Sequence, residues 1–238
     1  SALAAEHKAV NLGQGFPDFD CDPQLIKAVT DAMNAGHNQY PPMPGMPQLR
    51  TAIANKMLAL HGKSYDANAE ITVTAGATQA IITAILAVVH AGDEVIVLEP
   101  CYDSYVPNIE LAGGVVVRVP LTPGTFKPDF DKIKSAISPK TRAIIINTPH
   151  NPTGYLMSHT DFEELNKFAQ ENNLILFSDE VYRESEYNPA DRLPAACDMG
   201  EHAVSLGVTS KTYGLAGLRI GWIATKNKKI YQSMASLK

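Results

Sequence analysis

One lysine in the sequence, Lys211, stands where an amine could do covalent chemistry. It lies in Ser210-Lys211-Thr212-Tyr213-Gly214-Leu215-Ala216-Gly217-Leu218-Arg219-Ile220-Gly221-Trp222, a run of small residues with an arginine eight positions after the lysine. Glycines let the backbone approach a flat molecule closely, and an arginine offers a fork of donors to phosphate oxygens. Together they suit a Schiff base held beside a phosphate. An isolated lysine is usually a solvated surface group, so the neighbours carry this reading.

Upstream, several polar residues follow apolar runs. Asp179, in Asp179-Glu180-Val181-Tyr182, comes after Leu174-Ile175-Leu176-Phe177. The end of a strand in an open α/β sheet is where ligands bind, although an aspartate there can also simply cap a helix. Tyr182 is either a ligand contact or an ordinary half-buried tyrosine. Asn151 begins Asn-Pro-Thr-Gly after Thr148-Pro149-His150; alone, that is a turn former. His150 is read as structural. Gly76, Ala77 and Thr78 join a strand to a helix, where free N–H groups and the helix dipole favour a phosphate. By itself such a junction is weak evidence for a ligand. Tyr102, after Glu99-Pro100, offers a flat π face to a ring or to the core.

The elements that must position these residues alternate in type. Strands are predicted at 71–74, 94–98, 115–119, 143–147, 174–178, 203–208 and 219–224. Helices are predicted at 78–90, 104–111 and 161–173, the last capped by Ser158 or Thr160. Several strands are apolar on both faces, as in a sheet covered by helices on each side, and the alternation argues for an α/β domain with a largely parallel sheet. The last two strands are joined by a loop too short for a parallel crossover, so the final strand is expected to run antiparallel. Before Asn68, helices are expected at 23–35 and 47–60, separated by the turn-rich Tyr40-Pro41-Pro42-Met43-Pro44-Gly45.

A chain of 238 residues can bury a substantial core. Its net charge of −5 gives no reason to expect nucleic acid or an anionic membrane as partner. Its apolar runs fall short of the roughly 18 residues of a membrane span. The opening Ser1–Lys8 lacks the order of a signal peptide and reads as part of an amphipathic helix. Cys21, Cys101 and Cys197 are odd in number, with no C-x-x-C pair, so free thiols in a reducing cytoplasm are expected. No metal is expected.

Taken together, the Ser210–Trp222, Asp179–Tyr182, Asn151–Gly154 and Ala75-Gly76-Ala77-Thr78-Gln79-Ala80 segments resemble the class I aminotransferases of pyridoxal-phosphate fold type I, over essentially the whole chain. The resemblance implies a mainly parallel seven-stranded sheet with helices on both faces, and pyridoxal 5'-phosphate as cofactor. It implies that Lys211 forms the Schiff base and that Asp179 partners the pyridinium nitrogen. Asn151 and Tyr182 would meet the ring hydroxyl, Tyr102 would stack on the ring, and Gly76, Ala77, Thr78, Ser210 and Arg219 would hold the phosphate. Gly15, in Leu12-Gly13-Gln14-Gly15-Phe16-Pro17-Asp18-Phe19, resembles part of the segment that closes over the substrate carboxylate, which Asn151 also contacts. Tyr40 resembles the tyrosine that reaches the partner's phosphate, which implies a homodimer with shared sites.

By the same resemblance, residues 1–37 form an N-terminal segment associated with a small domain, and 38–238 form the cofactor-binding large domain, ending in the start of an interdomain helix. The family grips the substrate α-carboxylate with an arginine beyond that helix. No arginine here carries that motif, so it is expected outside these 238 residues, together with the small C-terminal domain. The Gly-Gln-Gly-Phe-Pro-Asp-Phe, Asn-Gln-Tyr and Thr-Pro-His-Asn-Pro-Thr-Gly runs look most like the methionine, glutamine and kynurenine transaminase branch. The implied reaction passes an amino group from an L-amino acid to a 2-oxo acid. Two rivals stay open: a cysteine-S-conjugate β-lyase using the same cofactor residues, and a non-catalytic sensing domain, which a basic helix-turn-helix would accompany.

Overall fold

Seven stretches form one sheet, the first four of them rich in valine, isoleucine and threonine, side chains that suit a pleated surface. In the computed structural model, which describes residues 1–238 except Phe16 and Asp18, they are β1 (Ile71–Thr74), β2 (Glu94–Glu99), β3 (Val115–Pro120), β4 (Thr141–Asn147), β5 (Ile175–Asp179), β6 (Ala203–Val208) and β7 (Gly221–Ala224). Their order across the sheet is β1-β7-β6-β5-β4-β2-β3. The pairs β2–β3, β2–β4, β4–β5 and β5–β6 are parallel. β7 runs antiparallel to both β1 and β6, as its short connection required. The link from β6 to β7 holds a 3-10 turn, Ala216–Leu218.

The helices are α1 (Ala2–Glu6), α2 (Pro23–Asn34), α3 (Pro47–His61), α4 (Gly76–Val88), α5 (Tyr105–Leu111), α6 (Phe130–Ser135), α7 (His159–Glu171) and α8 (Lys228–Leu237). Their starts follow local chemistry. Asp22 caps α2 by accepting the Gln24 N–H at 2.8 Å, and Pro23 occupies its first turn. Of the two expected caps for α7, Ser158 is the one used, accepting the Asp161 N–H at 3.1 Å. α6 goes beyond the expected elements. Its six residues are too few to show a period, and Asp129 starts it by accepting the Lys132 N–H at 3.1 Å.

Alternation along the strands divides the core into two layers. Val95, Val97, Ile145 and Leu206 pack towards α4, α5 and α8. Ile96, Leu98, Ile144 and Leu176 pack on the other face towards α6 and α7. Each aliphatic side chain buried this way contributes about 1.5–3 kcal/mol of transfer free energy. A third cluster seats Ile53, Ala54 and Met57 of α3 against Ile71, Val73 and Ala224. Gly207 and Trp222 are cross-strand partners, and a Cβ on Gly207 would lie 2.3 Å from Trp222 Cε2. The indole therefore rests directly on the β6 backbone and closes the sheet between β6 and β7.

This topology gathers one set of ends. The C-terminal ends of β1, β2, β4, β5 and β6 and the start of antiparallel β7 share one edge of the sheet, where an open α/β fold binds its ligands.

Candidate active site

At that edge lies an open cleft of about 720 Å³, within the usual range for a small-molecule site. Gly15, Ala77, Thr78, Tyr102, Asn151, Asp179, Tyr182, Ser210, Lys211 and Arg219 all line it. They come from five strand ends and the N-terminal segment, so the fold brings together residues that the sequence separates widely.

Asp179, the last residue of β5, is 3% exposed. Its Oδ2 accepts a 2.7 Å hydrogen bond from the Tyr105 hydroxyl, and its Oδ1 accepts the Val181 N–H at 3.2 Å. Burial pushes its carboxyl up to about 6, against the lowering effect of the Tyr105 hydroxyl and the Val181 amide. A carboxylate this deep, facing the cleft, is suited to a cationic N–H donor. Tyr105 is itself fully buried, and burial and the adjacent Asp179 hold its phenol well above the usual range. It packs edge-on against Tyr102 with ring centroids 5.7 Å apart.

Asn147 ends β4 and ties the neighbouring loops together. Its Nδ2 donates to the Asp179 carbonyl at 2.8 Å, and its Oδ1 accepts the Asn151 N–H at 2.6 Å. Asn151 is thereby set at the mouth of the cleft beside Asp179. His150 lies in the same turn with its Nδ1 2.7 Å from Thr153 Oγ1, and burial lowers its pKa. It lines a separate pocket under the turn, with Tyr155 and Met157.

Lys211 follows β6, and its Nζ lies 5.5 Å from the centre of the Tyr182 ring. Burial, the Asp179 carboxylate and Tyr102 raise the Tyr182 phenol. On the far side, α4 begins at Gly76 behind Ala75, a residue with no side-chain oxygen to cap the helix. Its first N–H groups are thus left to a ligand. Gly76 adopts φ +75° and a Cβ there would sit 2.6 Å from Arg219 Nη2. Only a glycine lets the guanidinium lie against this helix start. Arg219 adopts the left-handed region itself, φ 55°, and its Nη1 donates to the Ala216 carbonyl at 3.1 Å.

Two expected residues sit outside the cleft wall. Gly76 is buried behind it, shaping the seat of Arg219. Tyr40 is 98% exposed and points to solvent. Sequence reasoning passed over Tyr105 and Asn147. The signal for Asn147 was an amide ending a buried aliphatic strand; Tyr105 had none, because its partner is 74 residues away.

The donor set fits a phosphorylated pyridine aldehyde: an amine, a buried carboxylate facing the cleft, and a cation beside an uncapped helix start. The match to known proteins agrees. Residues 7–238 match the family described as aminotransferase class I and II, and the chain belongs to that family. It is 44% identical over 226 residues to a probable N-succinyldiaminopimelate aminotransferase of Mycobacterium tuberculosis, covering 93% of this chain and 57% of that protein. It is 40% identical to the methionine aminotransferase of Escherichia coli over 98% of the chain and 62% of the relative. The solved structure of the E. coli methionine aminotransferase superposes with a TM-score of 0.92 at 39% identity, and that of the M. tuberculosis N-succinyldiaminopimelate aminotransferase with 0.93 at 40%. Each covers 99% of this chain, which spans 62% of either structure. The family and fold are pyridoxal-phosphate-dependent.

Proposed function

We propose that this protein is a pyridoxal-phosphate-dependent aminotransferase that moves the amino group of an L-amino acid to a 2-oxo acid. The observation that carries the reading is the meeting in one cleft of the Lys211 amine, the buried Asp179 carboxylate and the Arg219 guanidinium beside the α4 N-terminus. When bound, the cofactor supplies an aldehyde for the amine and an electron-withdrawing ring.

The side chains divide the remaining work. Lys211 would be the residue that holds the cofactor covalently, and its amine, when free, would move the proton at the substrate α-carbon. Asp179 would accept a hydrogen bond from the ring nitrogen, and its charge would keep that nitrogen protonated. Asn151 and Tyr182 would meet the ring hydroxyl, and Tyr102 would cover one ring face. The N–H groups of Ala77 and Thr78, the Ser210 hydroxyl and the Arg219 guanidinium would take the phosphate. Gly15 and Asn151 meet the substrate carboxylate.

The amino donors we favour are methionine, glutamine and aromatic or kynurenine-like acids. Similarity to the E. coli methionine aminotransferase supports this choice, as does 34% identity over 238 residues to a probable kynurenine–oxoglutarate transaminase of Saccharomyces cerevisiae. The working unit we propose is a homodimer in which Tyr40, exposed on one protomer, reaches the phosphate in its partner. The unpaired thiols of Cys21, Cys101 and Cys197 suit the cytoplasm. Among the described residues no helix is long and apolar enough to cross a membrane.

The test is amine transfer from a panel of these amino acids, with N-succinyldiaminopimelate and aspartate included, to 2-oxoglutarate and other oxo acids. Transfer of the amino group to the acceptor is expected. Ammonia and pyruvate released from a cysteine S-conjugate, with no transfer, would make the protein a β-lyase.

A further inference from the structure

Lys56 has no place in the reaction above, yet it lies under the Lys211 loop. It projects from α3, whose Ile53, Ala54 and Met57 are fixed in the core. The same helix is anchored by Arg50, which donates to the Gly45 carbonyl at 3.1 Å and the Ala67 carbonyl at 2.6 Å. From this rigid base the Lys56 ammonium donates to the Tyr213 hydroxyl at 2.6 Å and forms an ion pair with Glu184. Its Nζ is also 5.2 Å from the centre of the Tyr213 ring. Both carboxylate and ammonium are about three-quarters buried, where an ion pair is screened less than at the surface.

These contacts join two particular segments. Glu184 and Arg183 directly follow Tyr182 at the end of β5; Thr212 and Tyr213 directly follow Lys211 at the end of β6. A second link runs in parallel, with Thr212 Oγ1 donating to the Arg183 carbonyl at 2.6 Å. Glu184 adopts φ 71°, a left-handed conformation that non-glycine residues enter at a cost and keep only when held. Lys56, Glu184, Arg183, Thr212 and Tyr213 together line a small cavity of about 40 Å³ between α3 and the two loops.

We propose that Lys56 is a positioning residue: its ammonium clamps the loop after Tyr182 to the loop after Lys211 and so sets the spacing between the Lys211 amine and the Tyr182 phenol. The charge is what makes one group serve both loops, since an ammonium has three donors and can meet a carboxylate and a hydroxyl at once. The inference rests on the transaminase reading for its effect on the reaction; the clamp itself rests on the contacts above.

Two arms of one experiment separate those dependencies, both on the full-length protein. In the first, amide hydrogen exchange is followed on the cofactor-free protein. Lys56→Met should raise exchange in 181–185 and 210–214 together, and Tyr213→Phe, which deletes a single hydroxyl, should raise the second segment more than the first. Exchange unchanged in both segments, or raised equally throughout the protein, would overturn the clamp whatever the protein catalyses. In the second arm the cofactor-loaded protein is assayed. Lys56→Met should lower kcat roughly tenfold with KM nearly unchanged, because misplaced groups cost rate rather than ground-state binding, and should shift the pH midpoint of the visible absorption band. In a Tyr182→Phe background the same change should cost less than about twofold, as expected of residues acting through one contact. Equal losses in both backgrounds, or an unmoved band, would mean that Lys56 stabilises the fold and positions nothing. Absence of a cofactor band in the parent protein would instead sink the transaminase reading and leave the exchange arm to decide the clamp.

Discussion

At the scale of single residues, Asp179 shows how a site can oppose stability. With its folded pKa raised to about 6 by burial, the native state holds a proton that the unfolded chain, titrating near the ordinary value for aspartate, has released. Native protein therefore binds more protons, and stability falls as pH rises between the two values. The full cost at neutral pH is about 3 kcal/mol. Asp179→Asn should accordingly stabilise the cofactor-free protein by about 1–3 kcal/mol at pH 7.5 and by little at pH 4, measured by urea unfolding; equal effects at both pH values would remove the charge from the account. The same variant should bind cofactor more weakly and lose several orders of magnitude in α-proton removal, because no anion keeps the ring nitrogen protonated. Tyr105 works in the opposite direction, its hydroxyl stabilising the ionised carboxylate. Tyr105→Phe should weaken cofactor affinity about tenfold, in line with a hydrogen bond to a charged group, with equilibrium dialysis as the measurement. Of this pair the sequence made Asp179 legible, since an acid ending an aliphatic run is visible locally. Tyr105 was hidden by distance along the chain.

At the scale of elements, the strands were legible because buried parallel strands are near-continuous apolar runs, and the reversal of β7 followed from the length of its connection. Element ends moved by one or two residues, as at α4, which begins at Gly76 rather than Thr78. α6 was too short to show a period. The close approaches were also invisible, because they depend on which backbones meet. Gly207 is one of them. Gly207→Ala would press a Cβ onto Trp222 and should destabilise the protein by about 1–3 kcal/mol. Trp222→Leu should relieve much of that loss in a thermal-melt comparison; undiminished loss in the double variant would mean the strain lies elsewhere. At the α4 junction, Gly76→Ala should displace the Arg219 guanidinium and weaken binding of pyridoxal phosphate more than that of pyridoxal, since only the former carries the phosphate.

At the scale of the whole molecule, the sheet acts as a frame whose C-terminal edge collects groups from β1, β2, β4, β5 and β6 into one cleft. The sequence motifs gave most of that cleft through family resemblance, whereas the lateral ties through Asn147, Tyr105 and Lys56 needed the folded chain. Tyr40 is exposed and outside the cleft, and in the proposed dimer it would complete the site of its partner. Mixing inactive Tyr40→Phe and Lys211→Ala protomers should restore part of the activity once subunits exchange; no recovery despite proven exchange would leave each protomer to work alone. The central claim, that Lys211 is the amine which holds the cofactor, is tested most directly by borohydride reduction of the cofactor-loaded protein followed by peptide mapping. The account predicts a pyridoxyl label on Lys211 in a yellow protein, with label and transamination both lost in Lys211→Ala. A label on a different lysine, or transamination that survives in that variant, would contradict it.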